Sequence, residues 1–142
     1  MLMETIHCRG HKNVRATHRS TLEITTEDFL TPRGDCIICV SADKALKDLS
    51  EEFKEALRKG AKLRVVIRAG DVEDEVIAHG SPELRLESSV SMVIRKSDYI
   101  DGRTLAIRAN KSAKGLKREL VELLKNPKTK VTVELIIEEE KA

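Results

Sequence analysis

At 142 residues the chain has room for one ordinary domain with a real core, and we read residues 1–142 as that domain. Hydrophobic residues at 40% and charged residues at 35% exclude a disordered chain, and no run approaches the roughly 20 apolar residues that cross a bilayer. The formal net charge of +2 hides an uneven distribution: residues 91–118 hold eight basic and two acidic side chains, while the flanking segments are balanced or slightly acidic.

There is no Trp and no Gln, and Tyr99, Phe29 and Phe53 are the only large aromatic residues, so the core must be aliphatic. Abundant Lys, Arg and Glu with few labile amides resemble a thermophile's composition. The start MLMETIHCRG lacks the apolar run of a secretory signal, which gives the expectation of a cytoplasmic protein with no membrane partner. Three cysteines, an odd count, do not suggest a disulfide framework.

In chain order, residues 3–9 alternate as a short strand, and Gly10 to Asn13 breaks it. Residues Val14 to Thr25 alternate again. One regular strand here would place Val14, Ala16, His18, Leu22 and Ile24 on one face, and Glu23 on the other. Thr31-Pro32-Arg33-Gly34-Asp35 is a turn signal, and Cys36 to Ser41 reads as a buried strand. Ser50 to Lys59 is the clearest helix: Ser50 caps it, Glu51 and Glu52 suit its positive end, and Gly60 stops it. Lys62–Ala69 and Val72–His79 read as a hairpin about Gly70-Asp71. Weaker strands follow at 84–86, 90–95 and 104–108. A second helix is expected over roughly 112–126, weakened by Gly115 and closed by Asn126-Pro127. Lys130 to Glu138 reads as a final strand, and a short acidic run, Glu138–Glu140, follows it. No internal repeat stands out. The pattern predicts an α+β fold with two main helices, about 50–59 and 112–126, on a mostly antiparallel or mixed sheet that curls toward a barrel.

Two polar concentrations stand out. The first runs from Arg9 to Val40 and contains His11, Asn13, His18, Thr21, Glu23, Arg33 and Asp35. A histidine beside a carboxylate can act as general acid or base, so His11, His18, Asp35 and Glu23 are the catalytic candidates. The same four could bind a transition metal, but no tight ligand spacing supports that, and no metal site is assigned. His11 lies in a Gly-Asn loop; His18, on the more apolar side, fits a structural role better. Cys36-Ile-Ile-Cys39 is not read as a redox motif, because it sits in an apolar strand without a helix N-terminus to lower the thiol pKa. The second concentration holds Arg95, Lys96, Ser97, Arg103 and Lys111. With Arg9 and Asn13 these are the ligand-binding candidates, since clustered cations hold a phosphate or carboxylate, and Lys111-Ser112 stands at the expected helix start. Base stacking is poorly served here, as Tyr99 is the only aromatic nearby.

The stretches RGHKNVRATHRSTLEIT, LTPRGDCIICV and VIRKSDYIDGRTLAIRANKSA resemble a conserved archaeal family catalogued as a domain of unknown function, over nearly the whole chain. The resemblance implies an archaeal, cytoplasmic protein and brings no established activity, cofactor or catalytic residue.

The leading expectation is a small binding protein for an anionic ligand, RNA or a nucleotide. The alternative is an enzyme acting on a phosphorylated or carboxylated small molecule through a His–carboxylate pair. The cofactor stays unknown. A homodimer through the edge of strand 130–138 is considered as well.

Overall fold

The computed structural model describes residues 1–138, so most of the acidic run at Glu138–Glu140 lies outside the described residues. Eight strands and two α-helices form an α+β fold: β1 (Leu2–Arg9), β2 (Thr21–Thr25), β3 (Ile37–Cys39), α1 (Glu51–Arg58), β4 (Lys62–Ala69), β5 (Val72–His79), β6 (Ser91–Arg95), β7 (Thr104–Ala106), α2 (Arg118–Leu124) and β8 (Lys130–Ile137). They make two four-stranded sheets, ordered β1-β8-β4-β5 and β3-β2-β6-β7. Single antiparallel bridges, Arg9–Val40 and His79–Ile107, join the sheets at their two edges. One bridge per seam does not continue either ladder, so the expected curl stops short of a closed barrel.

The element list is a two-fold repeat that the sequence reading missed. Strand, strand, strand, 3-10 turn, helix, strand occurs once in residues 2–69 and again in 72–137, each element shifted by 67 to 70 positions. Pairing obeys the same symmetry. β4 and β8 lie side by side at the centre of one sheet, and β2 and β6 at the centre of the other. The short parallel pairs β2–β3 and β6–β7 flank that second centre.

Both sheets and both helices share one aliphatic core. Equivalent positions supply equivalent side chains: Leu22 and Met92, Ile24 and Ile94, Ile38 and Leu105, Leu57 and Leu124, all essentially inaccessible to water. Period-2 alternation drives this. Leu63, Val65 and Ile67 of β4 turn to the core, and Val131, Val133 and Leu135 of β8 do the same.

The halves interlock. Gly10 and Gly80, at equivalent positions, each pass against the C-terminal end of the other half's helix. A Cβ on Gly10 would strike the carbonyls of Leu124 and Asn126, and one on Gly80 would strike that of Leu57. Each helix start is held by a carboxylate from the first strand of its own half. Glu4 accepts from the Ser50 amide (2.8 Å) and Lys44 Nζ (3.0 Å), while Asp74 accepts from the Lys117 amide (2.9 Å) and Lys111 Nζ. Burial works to raise both carboxyls, but these donors outweigh it and leave both pKa values lowered.

Three expectations need correction. The second helix does not span 112–126: Ala113–Gly115 is a 3-10 turn, Leu116 is extended, and α2 begins at Arg118 with the non-helical Lys117 as its N-cap, whose N–H Asp74 accepts. The long strand over Val14–Thr25 is only Thr21–Thr25. Ala16 takes φ 49° and breaks the ladder, as its equivalent Leu86 does at φ 55°, so 84–86 is no strand either. The proposed dimer edge is absent, since β8 is bonded on both sides, to β1 and to β4.

The cysteines also differ from expectation. Cys8 and Cys39 form a disulfide that joins β1 to β3, and Cys36 is free. The link closes a loop of sequence separation 31 and sits at the Arg9–Val40 seam. In the chain-entropy account such a loop contributes about 4 kcal/mol. At the other seam the equivalent residues are Ala78 and Ala106, both fully buried.

Candidate functional site

The predicted catalytic residues do not converge. His11 Nδ1 accepts from the Asn13 amide at 3.0 Å, so His11 braces its own turn. Its equivalent, Ser81, does the same with the Glu83 amide. His18 Nδ1 accepts from the amides of Ser20 (3.2 Å) and Thr21 (3.1 Å), which turns the chain into β2. Ser88 performs that task for β6, accepting from Val90 and Ser91. Two histidines that looked chemical are therefore turn acceptors, a job a serine hydroxyl does equally well. Asp35 holds the Thr17 and His18 amides with its carbonyl, and its carboxylate lies 3.5 Å from Thr17 Oγ1. Among the described residues, neither His11 nor His18 is hydrogen-bonded to a carboxylate.

Glu23 belongs to a separate buried cluster beneath the loops 26–36 and 96–103. It is 8% exposed and accepts from Ser91 Oγ at 3.3 Å, with Arg103 Nη1 at 3.8 Å. The free Cys36 thiol points at it, Sγ to Oε1 3.7 Å. Burial, then the charge of Glu23, push that thiol up to about 11. Cys36 is thus a protonated thiol near neutrality, not a nucleophile. Iodoacetamide is expected to alkylate it slowly in the native protein at about pH 8, with the rate climbing as pH approaches the thiol pKa. Rapid labelling at the lower pH would contradict this placement.

Arg95 is committed inward as well. Its Nε donates to Thr104 Oγ1 and its Nη2 to Asp101 Oδ2, both at 3.0 Å. The guanidinium lies 4.9 Å from the Tyr99 ring centroid, a cation–π contact. Burial would raise the Asp101 carboxyl, but the Arg103 amide and the Arg95 charge leave it lowered. Lys111, expected beside an anion at a helix start, is instead bound to Asp74. Asn13 Nδ2 donates to the Leu30 carbonyl at 2.7 Å and pins the first loop. Arg9 lines an open cleft of about 420 Å³ with His7, Ser41, Asp43 and Lys130, away from the other predicted residues. A second cleft, about 900 Å³ between the end of α1 and Ile136–Ile137, contains none of them.

Three cross-chain backbone bonds do gather cations. The Lys96 amide donates to the Ser20 carbonyl (2.9 Å), the Arg108 amide to Ser97 (3.1 Å), and the Lys114 amide to His18 (3.0 Å). Arg19, Lys96, Arg108 and Lys114 thereby meet at one end of β2 and β6, all exposed. Among the described residues, the one carboxylate paired with this group is Asp98, 3.9 Å from Arg108 Nε. Sequence reasoning named Lys96 of this set, together with the adjoining Ser97. Arg108 and Lys114 were visible only as members of the basic segment, and Arg19 gave no signal because the fold alone brings it there.

The repeat supplies an internal comparison. At the opposite end of the same strand pair the equivalent positions are Ser89, Thr26, Ser41 and Lys47, with Glu27 in place of Ser97. The same local backbone therefore carries a basic surface at one end and a neutral to acidic one at the other. Symmetric folding needs cannot account for charges present in one copy only.

A two-fold repeated α+β fold with one basic end is the class this geometry defines. The chain belongs to the family described as a domain of unknown function (DUF371), whose model matches residues 6–138. It is similar to a Methanocaldococcus jannaschii protein described as "Uncharacterized protein MJ0206", 54% identical over 123 residues, which cover 87% of this chain and 91% of that protein.

Proposed function

We propose that this chain binds an anionic ligand, RNA or a nucleotide, on the open basic surface formed by Arg19, Lys96, Arg108 and Lys114. The observation that carries this reading is the asymmetry between the two ends of the β2–β6 pair: four clustered cations at one, and Ser, Thr, Ser and Lys at the other. Exposed cations spread over a surface recognise phosphates through charge and counterion release, without a concave pocket. The hydroxyl of Ser97, exposed between Lys96 and Asp98, adds a neutral donor at the same place.

The roles first assigned to Arg95 and Lys111 pass to their neighbours. Both spend their donors on Asp101 and Asp74, so they shape the surface from beneath. The test is a titration of fluorescein-labelled RNA at several salt concentrations. With four phosphate contacts to a single strand, affinity is expected to fall roughly 50-fold between 50 and 200 mM salt. Absence of binding at the lower salt would overturn the proposal.

A further inference from the structure

Resting on that reading, we infer that the nucleic acid taken by the basic end is single-stranded, and that Tyr99 is the platform on which one of its bases stacks.

Tyr99 is 61% exposed, the largest aromatic surface at this end of the molecule. It sits in the loop 96–103, three residues after Lys96 and four before Arg103. An exposed aromatic ring on a loop is ordinarily mobile. This one is backed by Arg95, which is itself 8% exposed and fixed by Thr104 and Asp101. The Ser97 hydroxyl accepts from the Tyr99 amide at 3.3 Å and tightens the loop further. A ring held on one face by a buried guanidinium and open on the other is prepared for a flat partner. Lys96 and Arg103 belong to the same loop, the Arg108 amide is bonded to the Ser97 carbonyl and the Lys96 amide to that of Ser20 beside Arg19, so four cations are brought to this end, with Asp98 and Asp101 as the loop's two carboxylates.

A base can lie on such a ring only when its own face is free. A duplex hides its base faces in the stack, whereas a single strand offers every base in turn. Aromatic stacking within a basic groove is therefore a single-strand signature, and phosphate contact alone is not.

The repeat again provides a control. Phe29 occupies the equivalent position in the loop 26–36 and is 59% exposed. Its neighbours are Glu27 and Asp28, and Thr26 stands where Lys96 does. Asp28 and Asp98 are equivalent, so the difference lies in Glu27 and Thr26, which stand where Ser97 and Lys96 do; with less positive charge about it, Phe29 is expected to take no part.

The experiment uses the chain's own fluorescence. There is no Trp and Tyr99 is the single tyrosine, so emission on excitation near 280 nm reports this side chain alone. The native protein is titrated at low salt with oligo-uridylate and with the oligo-uridylate–oligo-adenylate duplex, while labelled oligonucleotide anisotropy follows binding independently. Saturable quenching by the single strand, and none by the duplex, is expected. Tyr99→Ala is expected to weaken single-strand binding about tenfold and to leave duplex binding unchanged. Tyr99→Phe, which keeps the ring, should retain affinity by anisotropy. Phe29→Ala should bind as the unaltered chain does. Equal binding of both forms without quenching would overturn the stacking proposal and leave the basic surface standing. An equal loss in Phe29→Ala would overturn the assignment to Tyr99. If neither nucleic acid binds at low salt, the basic-surface reading falls first and this one with it.

Discussion

Reversing two charges at once, Arg19→Glu with Lys96→Glu, is expected to lower affinity for RNA by about 100-fold at low salt. Each substitution removes a cation and places an anion at the same point, so the local charge changes by four units. Both side chains are exposed, which keeps the stability change within about 0.5 kcal/mol. The loss then reads as binding rather than unfolding, and the melting temperature of the free protein checks this. The matched control is Ser89→Glu with Thr26→Glu, which adds carboxylates at the equivalent positions of the other half. Long-range repulsion there is screened beyond about 10 Å at ordinary salt, so only a few-fold change is expected. A comparable loss from both pairs, measured by anisotropy, would mean that net charge governs binding and that the basic end has no special role.

The second large effect concerns the interlock. Gly80→Ala should destabilise the protein by about 3 kcal/mol, lowering the melting temperature by about 10 °C. The added methyl meets Leu57 backbone atoms, its carbonyl oxygen, carbonyl carbon and Cα. No side chain can rotate away from that overlap. Either the last turn of α1 moves off the sheet, or the Gly80 backbone bends and weakens its bond to the Ala61 carbonyl, now 2.8 Å. Gly60→Ala serves as the contrast. Nothing lies within 4 Å of a Cβ there, and its cost comes only from φ 86°. Thermal denaturation of the two variants side by side separates steric overlap from backbone strain. Equal melting temperatures would show that the helix end yields freely and does not lock the halves.

Much of the fold was legible because local chemistry and tertiary structure agree. Ser50 caps α1 as its side chain suggests, with the Phe53 amide 3.1 Å from its hydroxyl. The Gly70-Asp71 link forms the β4–β5 hairpin, with Ala69 opposite Val72. The repeat stayed hidden because equivalent positions are matched by role rather than by residue. His18 and Ser88 both accept amide hydrogens, and Phe53 and Leu120 both fill the core. Cys8 and Cys39 stand where Ala78 and Ala106 do. The loop before β7 is also three residues shorter than the loop before β3, which breaks any fixed period.

The candidate site was legible only in part, for the same reason. Charge counting found the basic segment, and the structure then divided it. Arg95 and Lys111 are held by carboxylates beneath the surface, while Lys96 and Lys114 face water and Arg108 meets only the exposed Asp98 among the described residues. A linear sequence gives no sign of which cation is claimed from within. Nor could it place Arg19 beside Lys96, since that neighbourhood depends on β2 and β6 running antiparallel, with Thr21 opposite Arg95.

The two seams between the sheets differ in one respect that bears on motion. Each has its single backbone bridge, but a covalent link crosses only the Cys8–Cys39 side, while Ala78 and Ala106 face each other's neighbourhood with nothing heavier than a methyl group. The sheets are like the covers of a book, bound along one edge and merely closed along the other. Thermal breathing will part them at His79 and Ile107 first, and the disulfide side will act as the spine about which they swing.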